Sequence, residues 1–256
     1  MYAEERQRAI GDLVAARGRA SVAELAERYD VTPETVRRDL DVLERLGGVR
    51  RVHGGVVAAG VLAGAESGVG EREALGADAK RAIGEAAQRY LPPAGGSVLF
   101  DAGTTTIAAA REVPVGQRLT AITNSLPVAS ALAGRDGVAL HMLGGRIRGL
   151  TQAAVGSGTV AEIGLLRADV AFLGTNGIGA HRGLSTPDAD EAAVKTALIR
   201  AADFVVLLAD SSKFDHESLV AFGGLGEIDV LIADAAPTGA LATALADHGV
   251  DVVVAQ

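Results

Sequence analysis

The sequence predicts an α/β protein in two parts: a small helical head closed by a β-hairpin, then a larger domain on an open parallel sheet. Three observations predict it. The N-terminal stretch up to Gly47 carries three helical patterns separated by cap and turn residues. From Ser97 onward, short apolar runs alternate with helical stretches, the pattern of a parallel sheet covered on both faces. Five polar clusters each stand immediately after one of those runs, which puts them on one rim of the sheet.

Composition narrows the class. The 256 residues are 48% hydrophobic and 22% charged, which suits a folded globular chain and not a disordered one. There is no cysteine, so disulfides, thiolate metal sites and cysteine nucleophiles are excluded. Glu4 and Glu5 stand where a signal peptide would be apolar, and no run of about eighteen uncharged apolar residues occurs. The expectation is a cytoplasmic chain without a membrane span. Net charge is −8, but residues 1–57 hold ten arginines and ten acidic residues, so all of it falls on the remainder. A neutral head with arginines bunched at 37–38 and 50–51 is compatible with a phosphate backbone, which needs only a local basic face.

The head reads as a winged helix-turn-helix, residues 1–57. Glu4 to Arg17 gives a helix with Ile10, Leu13 and Val14 on one side, ended by Gly18. Ser21 caps a second helix with Val22, Leu25 and Ala26 inward. After a turn at Asp30–Val31, Thr32 caps a third helix, with Pro33 at its first position, where a missing N–H costs nothing. Val36, Leu40, Leu43 and Leu46 form its buried stripe, and Glu34, Thr35, Arg37 and Arg38 lie off that stripe near the helix start. Such a helix enters a DNA major groove by its N-terminal end. In GGVRRVHGGVV (47–57), Val49 and Val52 flank Arg50 and Arg51, and Gly54–Gly55 supply a turn, as in a basic β-hairpin wing. The candidate DNA-contacting residues are Ser21, Thr32, Pro33, Glu34, Thr35, Arg37, Arg38, Arg50, Arg51 and His53. The competing reading is a three-helix cap with a surface arginine cluster, in which His53 is structural.

The stretch YDVTPETVRRDLDVLERLGGVRRVHGG (29–55) resembles the signature of the DeoR family of bacterial transcription regulators. The TVRRDL core, the leucine ladder and the R-x-HGG ending match in order and spacing. Thr32 stands where the family often has serine, and Val56 where it usually has alanine.

Residues 58–71 read as a small-residue linker and 72–256 as the second domain. That domain opens on a helix from Arg72 to Leu91, before Pro92–Pro93. Strands are expected at 97–100, 119–122, 138–143, 169–174, 204–209, 229–233 and 250–255, and helices at 105–112, 125–133 and 190–202 among others. The five clusters are DAGTTT (101–106), TNS (123–125), GGRIR (144–148), GTNG (174–177) and DSSKF (210–214). Gly103 lets a backbone approach a ligand, the threonines begin a helix whose free N–H groups attract an anion, and Asp101 suits hydroxyls of the same ligand. Arg146, Arg148, Lys195 and Lys213 offer positive charge. Together these suit a phosphorylated, hydroxyl-rich small molecule.

Other chemistries lack their context. GSGTVA (156–161) matches G-x-G-x-x-A, but AAV before it is a poor strand and no acidic residue follows a second strand, so no nicotinamide cofactor is expected. The histidines show no metal-ligand spacing, and no G-x-S-x-G elbow occurs.

The family resemblance extends over LFDAGTTT, ITNS, LGGRIR, FLGTNGI, EAAVKTALI and DSSKF. It implies an effector domain related in fold to ribose-phosphate isomerase. It also implies that Asp101, Gly103, Thr104, Thr105 and Thr106 hold the effector's phosphate end and a neighbouring hydroxyl, while Thr123, Asn124, Gly144, Gly145, Lys195, Asp210 and Lys213 line the pocket. Ser125, Arg146, Gly174, Thr175 and Asn176 complete the candidate set from the same rim clusters. Related isomerases carry Gly-Ala-Asp-Glu where this chain has Gly174-Thr175-Asn176-Gly177, so the acid–base pair is missing, with Asp101 and Glu191 the remaining possible bases. The expectation is a sugar-phosphate-responsive repressor that binds operator DNA as a homodimer or homotetramer and is not an enzyme. An isomerase with an appended DNA-binding head is the alternative. MYAEERQ and the VPVG–LTAITNSLPVA run resemble fructose-operon repressors, which implies fructose-1-phosphate as effector.

Overall fold

The computed structural model describes residues 3–17, 19–45, 49–52, 55–58 and 68–256. The chain divides into two compact units, Met1–Ser67 and Gly68–Gln256.

The first unit runs α1 (Ala3–Arg17), β1 (Arg19–Ser21), α2 (Val22–Tyr29), α3 (Pro33–Arg45), β2 (Val49–Val52) and β3 (Gly55–Ala58). Its core is Ile10 and Val14 of α1, Leu25 of α2, Val36, Leu40 and Leu43 of α3, and Val49 and Val56 of the hairpin. Asp30 ends α2 in the left-handed conformation (φ 50°), its N–H returning to the last turn, which sets the sharp entry to α3. The hairpin is joined by a strand the sequence reading missed. β1 pairs with β3, giving the order β1-β3-β2. Three residues carry no period of their own, so β1 is visible only in its pairing. That pairing accounts for Val56, which is fully buried opposite Ala20. It also fixes Gly55, where a Cβ would lie 2.6 Å from the Ala20 carbonyl oxygen. His53, Gly54, Leu46 and residues 59–67 of the expected linker lie outside the described residues.

In the second unit the expected helix from Arg72 to Leu91 is two helices, α4 (Val69–Ala74) and α5 (Ala77–Ala87), followed by a 3-10 turn at Gln88–Tyr90. The break is at Leu75–Gly76, where Gly76 takes φ 63°. Helical structure thus begins inside the stretch read as linker, and Ala58, at its other end, closes β3. The remaining elements are β4 (Ser97–Phe100), α6 (Thr104–Glu112), β5 (Leu119–Thr123), α7 (Leu126–Leu132), β6 (Val138–Met142), β7 (Arg146–Arg148), β8 (Ala153–Val155), α8 (Ser157–Ile163), β9 (Ala168–Gly174), β10 (Gly177–Gly179), β11 (Gly183–Thr186), α9 (Ala189–Arg200), β12 (Ala202–Leu208), β13 (Val220–Gly223), β14 (Val230–Ala233), α10 (Gly239–Asp247) and β15 (Asp251–Val254).

Seven strands form one sheet in the order β15-β14-β12-β9-β4-β5-β6, every neighbouring pair parallel. Alternation along β4 sends Val98 and Phe100 to one face and Leu99 to the other. Ile83 and Ala87 of α5, Ile107 of α6 and Val128 and Leu132 of α7 cover the first face. Ile163 of α8, Val194 and Leu198 of α9 and Leu241 and Leu245 of α10 cover the second. Helices α5 and α6 cross so closely that a Cβ on Gly84 would meet the Ala108–Ala109 backbone at 2.8–3.0 Å. The chain lays down β4, β5 and β6 outward in one direction, then returns to place β9 on the other side of β4. The boundary between β4 and β9 is the topological switch point, where open parallel sheets bind ligands.

Two small antiparallel sheets, β10-β11-β13 and β7-β8, decorate this frame. The segment AAV, read as a poor strand, is β8, and Gly156 leads from it into α8. It pairs with β7 and not with the main sheet, so the G-x-G-x-x-A match has no parallel βαβ unit around it. No helix among the described residues is long and apolar enough to cross a membrane.

Candidate functional site

On the head, Thr32 accepts a hydrogen bond from the Thr35 N–H (3.2 Å), and the two threonine hydroxyls share another (2.9 Å). Pro33, Glu34, Arg37 and Arg38 are exposed beside this cap while Val36 and Leu40 are buried, so α3 presents a polar start and a packed underside. Glu34 pairs with Arg37 at 3.2 Å, an exposed contact of one helical turn. Ser21 caps α2 through the Glu24 N–H (3.1 Å). Arg50 and Arg51 lie on β2, in register with Val57 and Val56. The sequence reading missed Asp39, which is 3% exposed on α3 and accepts from Arg6 Nε (2.6 Å) and Gln7 Nε2 (2.9 Å) of α1. That hydrogen bond is the main reason the Arg6 guanidinium is held above its ordinary pKa. The signal was available: Asp39 falls inside the apolar stripe of α3.

In the second unit all five polar clusters follow strands of the parallel sheet and occupy its carboxyl edge. Three segments distant in sequence converge at the switch point. Asp101, at the end of β4, is 1% exposed, and its Oδ2 accepts from the Lys195 ammonium of α9 and from the Gly174 N–H at the end of β9 (3.0 Å). Lys195 also donates to the Gly174 carbonyl (3.0 Å). Gly103 precedes α6 and has no side chain to cap it, which leaves the first-turn N–H groups of Thr104, Thr105 and Thr106 without a side-chain acceptor. Its φ of −177° is ordinary extended backbone, and a Cβ there would stand 3.4 Å from the nearest atom, so the protein's own packing does not require glycine.

The hydroxyls divide into two groups. Thr106, fully buried, donates to the Asp101 and Gly103 carbonyls (2.7 and 2.8 Å), so it shapes the loop. Thr123 donates to the Phe100 carbonyl (2.7 Å), Ser125 caps α7 at the Val128 N–H (3.3 Å), and Thr175 donates to the Gly177 and Ser185 carbonyls (2.7 and 3.1 Å). These residues stand where the sequence places them, but their hydroxyls are committed to the backbone. Thr104 and Thr105 have no side-chain hydrogen-bond partner among the described residues. Asn124 is 2% exposed; its Nδ2 donates to the Ala154 carbonyl (3.1 Å) and its Oδ1 is buried without a hydrogen-bond partner.

The positive charges are more occupied than the sequence suggests. Arg146 pairs with Asp190, and Arg148 with Asp188 (3.1 Å) and Glu191 (3.3 Å), both on the start of α9. Lys213 sits 3.1 Å from the Ser212 hydroxyl, beside Asp210, whose carboxylate caps the 3-10 turn Ser211–Lys213. Gly144 donates its N–H to Glu162 (3.0 Å), while Gly145 takes φ 151° beside Thr159. Asn176 Oδ1 accepts from the Thr186 hydroxyl (3.0 Å). A residue absent from the sequence-derived set, Lys80 of α5, is 5% exposed and shares with Thr104 a cleft of about 540 Å³.

The two possible bases are both engaged. Asp101 faces Lys195, and Glu191 accepts from Thr151 and Arg148. The loop after β9 offers Thr175 and Asn176 and no carboxylate. No group of three or more histidine or acidic side chains able to hold a metal occurs among the described residues.

A capped recognition helix on one unit and an anion-ready switch-point site on another define a class: DNA-binding regulators that carry their own sensor. The DeoR-like helix-turn-helix domain matches residues 6–60 and the DeoR C-terminal sensor domain residues 76–235, and the chain belongs to the DeoR family. It is 38% identical over 234 residues, 91% of each chain, to the HTH-type transcriptional regulator GlpR of Haloferax volcanii. It is 32% identical over 249 residues, 97% of each chain, to the glycerol-3-phosphate regulon repressor of Escherichia coli K12. It is a transcription regulator of that family. The ribose 5-phosphate isomerase of Methanocaldococcus jannaschii aligns over 54% of each chain at 16% identity and a TM-score of 0.38, a likeness that says nothing about chemistry.

Proposed function

We propose that this protein represses a sugar-catabolism operon in the cytoplasm and leaves its operator when a phosphorylated sugar occupies the switch-point site. The observation that carries this is the Asp101–Lys195–Gly174 network standing beside the uncapped start of α6. A phosphate fits the free N–H groups and the positive end of α6, with Thr104 and Thr105 as further donors. The buried Oδ1 of Asn124 is an acceptor that lacks a donor, which a sugar hydroxyl supplies. Thr106, Thr123, Ser125 and Thr175 hold the loops in place. On the head, we assign major-groove contacts to Thr32, Thr35, Arg37 and Arg38 and phosphate-backbone contacts to Arg50, Arg51 and His53, in a dimer or tetramer that reads repeated half-sites. Fructose-1-phosphate is the proposed effector, on the sequence likeness to fructose-operon repressors. Glycerol-3-phosphate is the comparator, from the name of the Escherichia coli relative.

The test is fluorescence anisotropy of a labelled duplex from the gene's own upstream region at fixed salt, titrated with fructose-1-phosphate, glycerol-3-phosphate and inorganic phosphate. Release by one sugar phosphate at micromolar concentration is expected; operator binding that no phosphorylated compound shifts overturns the sensor reading. Thr105→Glu puts a carboxylate where the phosphate belongs, so it is expected to keep operator binding and abolish release. Loss of both together would show that the two roles are not separate.

A further inference from the structure

Lys80 lies in the first turn of α5, almost fully buried, and its ammonium donates to two backbone carbonyls, those of Arg72 and Leu75. These are the closing carbonyls of α4, which a helix end otherwise leaves unsatisfied. An ammonium has three donors, and the described residues give this one no third protein acceptor. It does not face the bulk of the core. It lines the same cleft as Thr104, the first residue of α6, and the cleft volume of about 540 Å³ falls in the range that takes small ligands. Its electrostatic neighbours include Asp210 and Lys213 of the sheet's carboxyl edge. Lys80 therefore stands between the rim and α4.

We propose that Lys80 contacts the effector's phosphate and, in doing so, gives up the end of α4, so that occupancy of the site is felt at the junction between the two units. This rests on the sensor reading above and adds the residue through which it acts. Neutral carbonyls are weaker acceptors than a phosphate dianion, whose hydrogen bond to an ammonium is charge-assisted. A phosphate seated at the start of α6 draws the ammonium toward it. Burial already holds Lys80 below its ordinary pKa, and an anion beside it favours the charged form that burial penalises.

The element released is the one able to respond. α4 has six residues, too few to stand alone as a helix. Beyond its own hydrogen bonds, what holds it includes the Val69 N–H on the Leu150 carbonyl (2.9 Å), the Glu73–Arg111 pair, the burial of Val69 and Lys80. It is also the first described element after the residues that join the units. Loss of its C-terminal anchor changes α4 before anything deeper in the sheet must move.

The experiment uses the full chain. Calorimetric titration with fructose-1-phosphate, glycerol-3-phosphate and inorganic phosphate is run on the native protein and on Lys80→Met and Lys80→Arg. Lys80→Met is expected to weaken the compound that binds by about tenfold or more, the loss that goes with removing a charge-assisted bond, and Lys80→Arg to recover part of it. In parallel, amide exchange at residues 72–75 of the native protein is expected to accelerate when the ligand binds. If Lys80→Met lowers the melting temperature but binds ligand as the native chain does, Lys80 is only a helix cap and the proposal falls while the sensor reading stands. If Lys80→Met does not fold, the exchange measurement decides: unchanged or slowed exchange at 72–75 overturns the coupling. If the native protein binds no compound in the panel, the sensor reading and this proposal fall together.

Discussion

Asp101 and Lys195 are buried together, and burial sets what either can be replaced by. Removing one partner leaves the other charge with no water to take its place. Lys195→Met is therefore expected to destabilise the protein by about 3–5 kcal/mol, whereas the pair Asp101→Leu with Lys195→Met recovers most of the loss. Urea midpoints of the native protein and the two variants check this. At the other end of β4, beside the start of β9, Asp169 accepts from the Ser97 N–H (2.6 Å) and hydroxyl (2.7 Å). Those bonds hold its carboxyl below the ordinary value, with the hydroxyl the larger cause. A depressed carboxyl contributes stability above its unfolded pKa and loses it as pH falls through the folded one. Stability is thus expected to decline with acidification below about pH 4, and Asp169→Asn to flatten that decline, measured by urea unfolding across the acid range. Residues whose type announces their chemistry, such as Asp101 and Lys195, were legible in the sequence. Lys80 was not, because a lysine one turn into an amphipathic helix reads as a solvated side chain until the carbonyls of α4 are seen above it.

The seven strands of the main sheet were legible because each is a short, mostly apolar run bounded by glycine or polar residues, as SVLF before DAG and FVVLLA before DSS. The elements missed are those without a period. RAS forms β1 only because GVVA, already paired with VRRV on its other side, presents an edge to it, and GIG, GLST and VAFG form a small sheet from strands of three or four residues. The helix expected across 72–91 failed at Gly76, whose left-handed backbone was hidden between two helical patterns. Packing of whole elements yields its own test. Gly84 lets α5 rest on the backbone of α6, so Gly84→Ala forces them apart. The expected cost is about 1–3 kcal/mol, read as a lower thermal midpoint, and the displaced α6 also weakens ligand binding.

For the molecule as a whole, the division of charge matters more than its sum. A chain of net charge −8 binds DNA through a head that nets to zero and exposes Arg37 and Arg38 beside the capped start of α3. The logarithm of operator affinity is expected to fall linearly with the logarithm of salt concentration. Replacing Arg50 and Arg51 by alanine is expected to reduce that slope by about one for each phosphate no longer neutralised, with effector binding unchanged. Anisotropy at several salt concentrations, paired with calorimetry of the ligand, separates the two.

The return of the chain to set β9 against β4 has a consequence for biosynthesis. Gly174 follows Asp101 by 73 residues and Lys195 follows it by 94. At translation rates of about 5–20 residues per second, Lys195 is added roughly five to twenty seconds after Asp101. Throughout that interval the amino-terminal head has been made in full, while the site that answers a ligand still lacks one of its walls. On the mode of action proposed above, a nascent chain or a truncated product in that condition has the means to hold DNA and none to be told to release it.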